Sequence, residues 1–204
     1  MDILGIDEAG RGSVLGPMVI AGVVVPEKMD KILVRMGVKD SKRLTANRRT
    51  ILSRKLRKMF EYEIVVISAR EIDDLRASGV NLNEIEKNAM ESIILKLKPE
   101  KAIVDAVDVK AERFQENLCK DTGIDVTAEH KADDKYIEVS AASIIAKAER
   151  DEYIKELNKE YIKSGGIGSG YPSDPTTKKF LSNYTYDEMP EFVRKSWATV
   201  AKMK

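Results

Sequence analysis

The pattern of apolar and polar positions opens with two apolar runs separated by a glycine-rich break. Residues 3–7 and 18–25 read as strands, the second a β-branched run (MVIAGVVV) ended by Pro26. The segment between them carries Gly10, Gly12, Gly16 and Pro17 and is too short for a crossover helix, so the two strands should pair antiparallel. Thr45 can cap a helix running to about residue 59, and β-branched alternation over 62–68 predicts a third strand. An amphipathic helix follows over 83–97, with Ile85, Ala89, Ile93 and Leu97 on one face and Pro99 beyond it. The rest alternates: a strand over 102–105, a helix over 111–120 ending before Gly123, and a strand over 125–129. A long helix from about 133 to 161, a glycine loop and shorter helices complete the chain.

Three strands followed by strand–helix alternation predict an α/β fold with a mixed sheet flanked by helices. With 204 residues and 43% hydrophobic content, the chain can bury one ordinary core and little beyond it. The stretch 164–175 marks the expected boundary. A main catalytic domain would occupy 1–163, and a helical C-terminal extension, 164–204, would pack on it and serve substrate binding.

Composition narrows the chemistry. No apolar run is long enough to cross a bilayer, and Asp2 argues against the basic lead of a signal peptide, so a soluble, cytoplasmic protein with no membrane partner is expected. The single cysteine, Cys119, excludes an internal disulfide and every multi-cysteine zinc site. The single histidine, His130, excludes a His-rich metal site, and its simplest reading is a hydrogen-bonded residue at a strand end. Carboxylates remain as the groups for demanding chemistry. Net charge is +1, so any attraction for nucleic acid must be local.

Asp7 and Glu8 close the first predicted strand, Asp105 closes the fourth, and Asp133 follows the fifth. Acids at corresponding ends of strands fall where open α/β sheets place their sites. Clustered carboxylates repel unless cations neutralise them, and oxygen-only ligands select Mg²⁺ or Mn²⁺. Two such ions about 4 Å apart can clamp a phosphodiester, which implies phosphoryl transfer or hydrolysis. The bland alternative is a set of solvated surface acids.

Other stretches bear on that choice. Gly10-Arg11-Gly12 lets backbone N–H groups approach a ligand closely. A dinucleotide-binding turn is rejected, because the third glycine, Gly16, falls one residue late and a proline and a strand follow it. Lys39, Ser41 and Lys42 lead into a helix bearing Arg48, Arg49, Arg54, Lys55, Arg57 and Lys58, while Arg194, Lys195, Lys202 and Lys204 form a second basic zone. Both zones could carry a phosphate backbone, or simply be solvated faces. Asp174-Pro175 fits a helix N-cap with proline at the first helical position. Tyr171 could stack on a sugar or base, or pack in a turn. Lys147, on a stretch of small residues, points back toward the acids or lies on the surface; Trp197 reads as packing.

Six motifs together, GIDEAGRG, VKDSK, Val104-Asp105, EHKAD, AASIIAK and GSGYPSDP, occur in the order seen in type 2 ribonuclease H, ribonuclease HII, and span almost the whole chain. The Tyr171-Pro172-Ser173-Asp174-Pro175 wording resembles the archaeal and eukaryotic branch more than the bacterial one. The resemblance implies a ribonuclease H-like fold with a five-stranded mixed sheet, a catalytic and metal-binding set of Asp7, Glu8, Asp105 and Asp133, and Mg²⁺ or Mn²⁺, two ions in the active complex. Within that set, Asp7 and Asp105 are expected to bridge or hold the ions, Glu8 to sit near the metal that stabilises the leaving group, and Asp133 to position the metal that activates water. Gly10, Arg11, Gly12 and Tyr171 would read the 2′-hydroxyl, and Lys39, Ser41, Lys42 and Lys147 would bind substrate. The implied activity is hydrolysis of RNA in RNA–DNA hybrids and incision 5′ of ribonucleotides embedded in duplex DNA, leaving 3′-hydroxyl and 5′-phosphate ends. Some relatives dock on the replication clamp through a C-terminal peptide; no glutamine-led aromatic motif stands at 198–204, so recruitment by that route is not expected. A monomer is expected, since no heptad pattern is evident. A non-catalytic nucleic-acid-binding module and a junction-resolving nuclease on a similar fold are the alternatives.

Overall fold

The computed structural model describes residues 1–204, apart from the side chain of Asp40. The β-branched runs form one five-stranded sheet: β1 (Asp2–Ala9), β2 (Met18–Pro26), β3 (Tyr62–Ile67), β4 (Lys101–Asp105) and β5 (Asp125–Glu129), in the order β3-β2-β1-β4-β5. β1 pairs antiparallel with β2 and parallel with β4, and β4 pairs parallel with β5. The sheet is therefore mixed, as expected, and the C-terminal ends of β1, β4 and β5 share one edge. Ile6 lies opposite Val104 and Asp105 opposite Glu129, so Asp7 and Asp105 emerge one step past the same pair.

The helices are α1 (Asp30–Arg35), α2 (Ala46–Met59), α3 (Ala69–Ala77), α4 (Leu82–Leu97), α5 (Ala111–Thr122), α6 (Ala132–Lys135), α7 (Ile137–Glu160), α8 (Pro175–Leu181) and α9 (Ala198–Ala201). Local chemistry sets several ends. Thr45 accepts a hydrogen bond from Arg48 N at 3.3 Å at the start of α2, and Gly123, left-handed at φ 73°, ends α5. Asp174 caps α8 from Thr176 N at 2.8 Å, with Pro175 first in the helix. Two expectations change. Ser68 does not end a strand; it caps α3 in a reciprocal pair with Glu71, which satisfies two otherwise orphaned N–H groups. The helix expected from 133 is broken at Tyr136, whose backbone is extended and whose hydroxyl donates to Glu129 Oε1 at 2.5 Å.

The chain divides into two compact units. The first comprises Met1–Ala9, Val19–Val65 and Asn83–Ala148; the second comprises Gly10–Met18, Val66–Leu82 and Glu149–Lys204. In the first, Leu4, Ile6, Ile20, Val104 and Val126 of the sheet are fully buried together with Ile93 and Ile94 of α4. Gly5 lets the first turn of α7 lie against β1: a Cβ there would stand 2.1 Å from the Glu138 carbonyl carbon. In the second unit, Val14, Leu15, Ile167, Phe180 and Val193 form the core, with Tyr161 edge-on to Phe180 and Phe192. The segment 164–204 falls wholly within this second unit. No helix among the described residues is long and apolar enough to cross a membrane.

Candidate active site

The first unit brings Asp7, Glu8 and Asp105 together. Each offers a carboxylate oxygen, and these oxygens lie within 4.8 Å of one another. Parallel pairing of β1 with β4 is the cause, since it aligns the strand ends that carry them. Asp7 is only 4% exposed, and its carboxylate accepts from Glu8 N at 2.8 Å. Burial pushes its pKa well above the ordinary aspartate value, and the Glu8 and Asp105 charges push it further. Burial also raises Asp105, to about 6, with the Glu8 charge adding and an N–H from Ala132 opposing. Glu8 Oε2 is buried without a hydrogen-bond partner. Close carboxylates, two of them driven toward protonation and one oxygen unsatisfied, are the condition that a bound divalent cation relieves. A donor set made only of carboxylate oxygens fits a hard divalent cation.

Asp133 stands outside that three-carboxylate group. It is buried and ion-paired with Lys42, whose Nζ lies 3.2 Å from Asp133 Oδ2 and 2.6 Å from Asp134 Oδ1. The hydrogen bond to Asp134 holds the Lys42 ammonium above its ordinary pKa. Asp133 nonetheless acts on Asp105, whose pKa its charge helps to raise. Ser41 is buried in the same short helical turn, Val38–Arg43, and Lys39 is exposed on it. Lys147 donates to Ser143 Oγ at 2.8 Å, one turn earlier on α7. On α2, Arg48, Arg54, Lys55 and Lys58 are exposed. His130 Nε2 lies 3.3 Å from Val109 O, in keeping with a strand-end residue. Asp134 was not anticipated, although its place beside Asp133 is a signal that the sequence carries.

The second unit holds the glycine loop and Tyr171. Gly10 has φ 81°, and a Cβ there would fall 2.2 Å from Arg150 Nε, so this position needs glycine for both reasons. Arg194 is fully buried and donates to three loop carbonyls, Gly10 O at 2.7 Å, Arg11 O at 3.0 Å and Gly16 O at 3.1 Å. This corrects its reading as part of a phosphate-facing basic zone: its guanidinium is turned inward. Burial, with the Arg150 charge adding, lowers its pKa to about 9. Trp197 lies under Arg194, ring centroid to guanidinium 4.7 Å, and Nε1 donates to Gly12 O at 3.4 Å. A Cβ on Gly12 would be 3.9 Å from the ring of Tyr171, which is 39% exposed and lies beneath Arg150 at 5.2 Å. Gly12 and Tyr171 are thus neighbours.

The model of the ribonuclease HII family matches residues 4–200. The chain belongs to the ribonuclease HII family. Membership makes it an endonuclease, a hydrolase of the ribonuclease H type. A ribonuclease HII from Methanobrevibacter smithii is 78% identical over 204 residues, covering 100% of this chain and 99% of its own. Among solved structures, the ribonuclease H2 of Pyrococcus horikoshii OT3 superposes with a TM-score of 0.90 at 41% identity, covering 100% of this chain and 97% of its own. The ribonuclease HII of Archaeoglobus fulgidus, solved in complex with PCNA, gives 0.88 at 44% identity, covering 97% and 95%. The ribonuclease H-like fold expected from the motifs is therefore the fold of this chain.

Proposed function

We propose that this ribonuclease HII hydrolyses the RNA strand of RNA–DNA hybrids and incises 5′ of ribonucleotides embedded in duplex DNA, with Mg²⁺ or Mn²⁺ as cofactor, two ions in the active complex. The observation that carries this reading is the group of Asp7, Glu8 and Asp105, whose oxygens converge within 4.8 Å at the ends of parallel strands. Asp7, Glu8 and Asp105 would hold the ions, and Asp133, in α6, completes the acidic set. Bound divalent ions supply neutralisation of phosphodiester charge and a lowered pKa of water. Hydrolysis breaks the bond between phosphorus and O3′ of the preceding nucleotide, so the ribonucleotide keeps the phosphate and the departing strand ends in a 3′-hydroxyl.

The chain's own residues bind and select. Lys39, Ser41 and Lys42 hold phosphate oxygens, and Lys147 adds a further cation. In this scheme the ion pair of Lys42 with Asp133 and Asp134 keeps its ammonium in one place. Gly10, Arg11, Gly12 and Tyr171 read the 2′-hydroxyl, the group that separates RNA from DNA.

The test is cleavage of end-labelled duplex DNA containing one ribonucleotide, with Mg²⁺ or with chelator, beside an all-DNA duplex and the Asp7→Asn variant. One metal-dependent cut 5′ of the ribonucleotide is expected, lost by about 10³-fold or more in Asp7→Asn. Binding without cleavage in either metal refutes the catalytic reading, and equal cutting of the all-DNA duplex refutes the 2′-hydroxyl reading.

A further inference from the structure

Two buried arginines in the second unit have no part in the chemistry described so far. Arg194 is 0% and Arg150 is 5% exposed. Burying a guanidinium is costly, and replacing buried ionic groups with apolar residues is often neutral or stabilising, so stability alone does not account for two of them close together. Their partners are informative. Arg194 turns all three prongs of its guanidinium onto loop carbonyls, and its own backbone N–H donates to Val14 O at 2.9 Å. Arg150 Nη2 donates to Ser13 Oγ at 2.5 Å and to Leu15 O at 3.1 Å, with the guanidinium over the Tyr171 ring. Gly170 O, immediately before Tyr171, accepts from Val14 N at 2.8 Å and Leu15 N at 3.1 Å. Loop 10–16, Gly170 and the two guanidiniums are one hydrogen-bonded assembly, on which the Tyr171 ring stacks.

The geometry of the peptide unit gives this assembly a direction. Each peptide is planar and trans, so its N–H points opposite to its C=O. Gly10 O and Arg11 O face Arg194. The N–H groups of Arg11 and Gly12 belong to those same two peptide units and therefore point away from the guanidinium.

We infer that Arg194 is a positioning residue that orients the Arg11 and Gly12 amides for the 2′-hydroxyl of the substrate, while Arg150 fixes Tyr171 against the same loop. This rests on the proposed reading of the 2′-hydroxyl. Lysine cannot replace Arg194, because an ammonium lacks the rigid planar fork that spans three carbonyls.

The experiment is steady-state cleavage of duplex DNA carrying one ribonucleotide by the wild type, Arg194→Gln and Arg194→Lys, with Mg²⁺ affinity measured by calorimetry and melting temperature recorded for each. Misorienting a recognition group by about 1 Å costs about 10²-fold in rate, so kcat of Arg194→Gln is expected to fall by that factor, by more than KM rises. Mg²⁺ affinity stays within about twofold, because none of the carboxylates is altered. Arg194→Lys keeps the buried cation and recovers melting temperature without recovering kcat; where the glutamine variant does not fold, the lysine variant carries the test. Unchanged kcat in a folded variant overturns the inference. So does a loss that vanishes when the assay is run well below each variant's melting temperature, which leaves Arg194 structural only. A wild type that cuts all-DNA duplex equally fails the 2′-hydroxyl reading instead, whereas a ribonucleotide-dependent wild type with fully active Arg194 variants fails only the positioning role.

Discussion

The acidic group of the first unit and the arginine-held loop of the second are opposite solutions to buried charge. Asp7, Glu8 and Asp105 gather like charges with little internal compensation, so burial and mutual repulsion drive Asp7 and Asp105 toward protonation. Arg194 is also buried, and burial lowers its pKa too, but all three of its guanidinium nitrogens donate to carbonyls of its own chain. Clustered carboxylates, without hydrogen-bond donors of their own, favour a cation from outside; a guanidinium hydrogen-bonded from within holds the loop in one shape. On the proposed reading, the contrast separates residues that would take up cofactor from those that would shape the surface for substrate.

Three measurements press on this contrast, beginning with the largest effect. Gly10→Ala forces a Cβ at φ 81° into Arg150 Nε, 2.2 Å away. A destabilisation of about 2–3 kcal/mol is expected in urea unfolding, combining left-handed strain with steric conflict. A neutral result would show that the loop yields, and that the arginines do not fix it.

The acids predict a pH dependence of the opposite kind. Asp105 is raised from its ordinary 3.8 to about 6, so between those values the native metal-free protein holds a proton that the unfolded chain has lost. Its contribution to stability is therefore present below about pH 4 and is lost as pH rises through about 6. Asp7, raised in the same direction, adds to this trend. After discounting for the partial exposure of Asp105, removing its charge in Asp105→Asn should stabilise the metal-free protein at pH 7 by about 1 kcal/mol. Saturating Mg²⁺ should stabilise the parent and do little for the variant. Chemical denaturation at pH 4.5 and 7, with and without Mg²⁺, checks both signs, and a variant less stable than the parent at pH 7 would mean that the acids are compensated from within.

The smallest effect belongs to Lys42→Met. Lys42 retains 51% side-chain exposure, so losing its pairs with Asp133 and Asp134 should cost less than about 1 kcal/mol. Weaker substrate binding, seen as a KM raised several-fold at low salt with the difference shrinking at high salt, is the expected functional consequence.

Much of this was legible along the chain where the cause is local. Thr45, Gly123 and Asp174 set helix ends through groups a few residues away. The S-x-x-E pairing of Ser68 with Glu71 is equally local; β-branched alternation running up to Ser68 masked the helix it starts. The break at Tyr136 was not legible, because it accompanies a hydroxyl bonded to Glu129, in a strand seven residues earlier.

The sequence by itself determined the α/β class, the strand order in the chain, and the acids at strand ends, because alternation, turn chemistry and motif order are written in neighbouring residues. Which acids meet was decided only by tertiary structure, through the parallel pairing of β1 with β4 that brings Asp7 and Glu8 to Asp105 and leaves Asp133 with Lys42. The fate of Arg194 was decided there too. A charged residue in a basic stretch reads as solvent-facing until the fold supplies carbonyls to bury it, and the one at Gly10 lies 184 residues away in sequence.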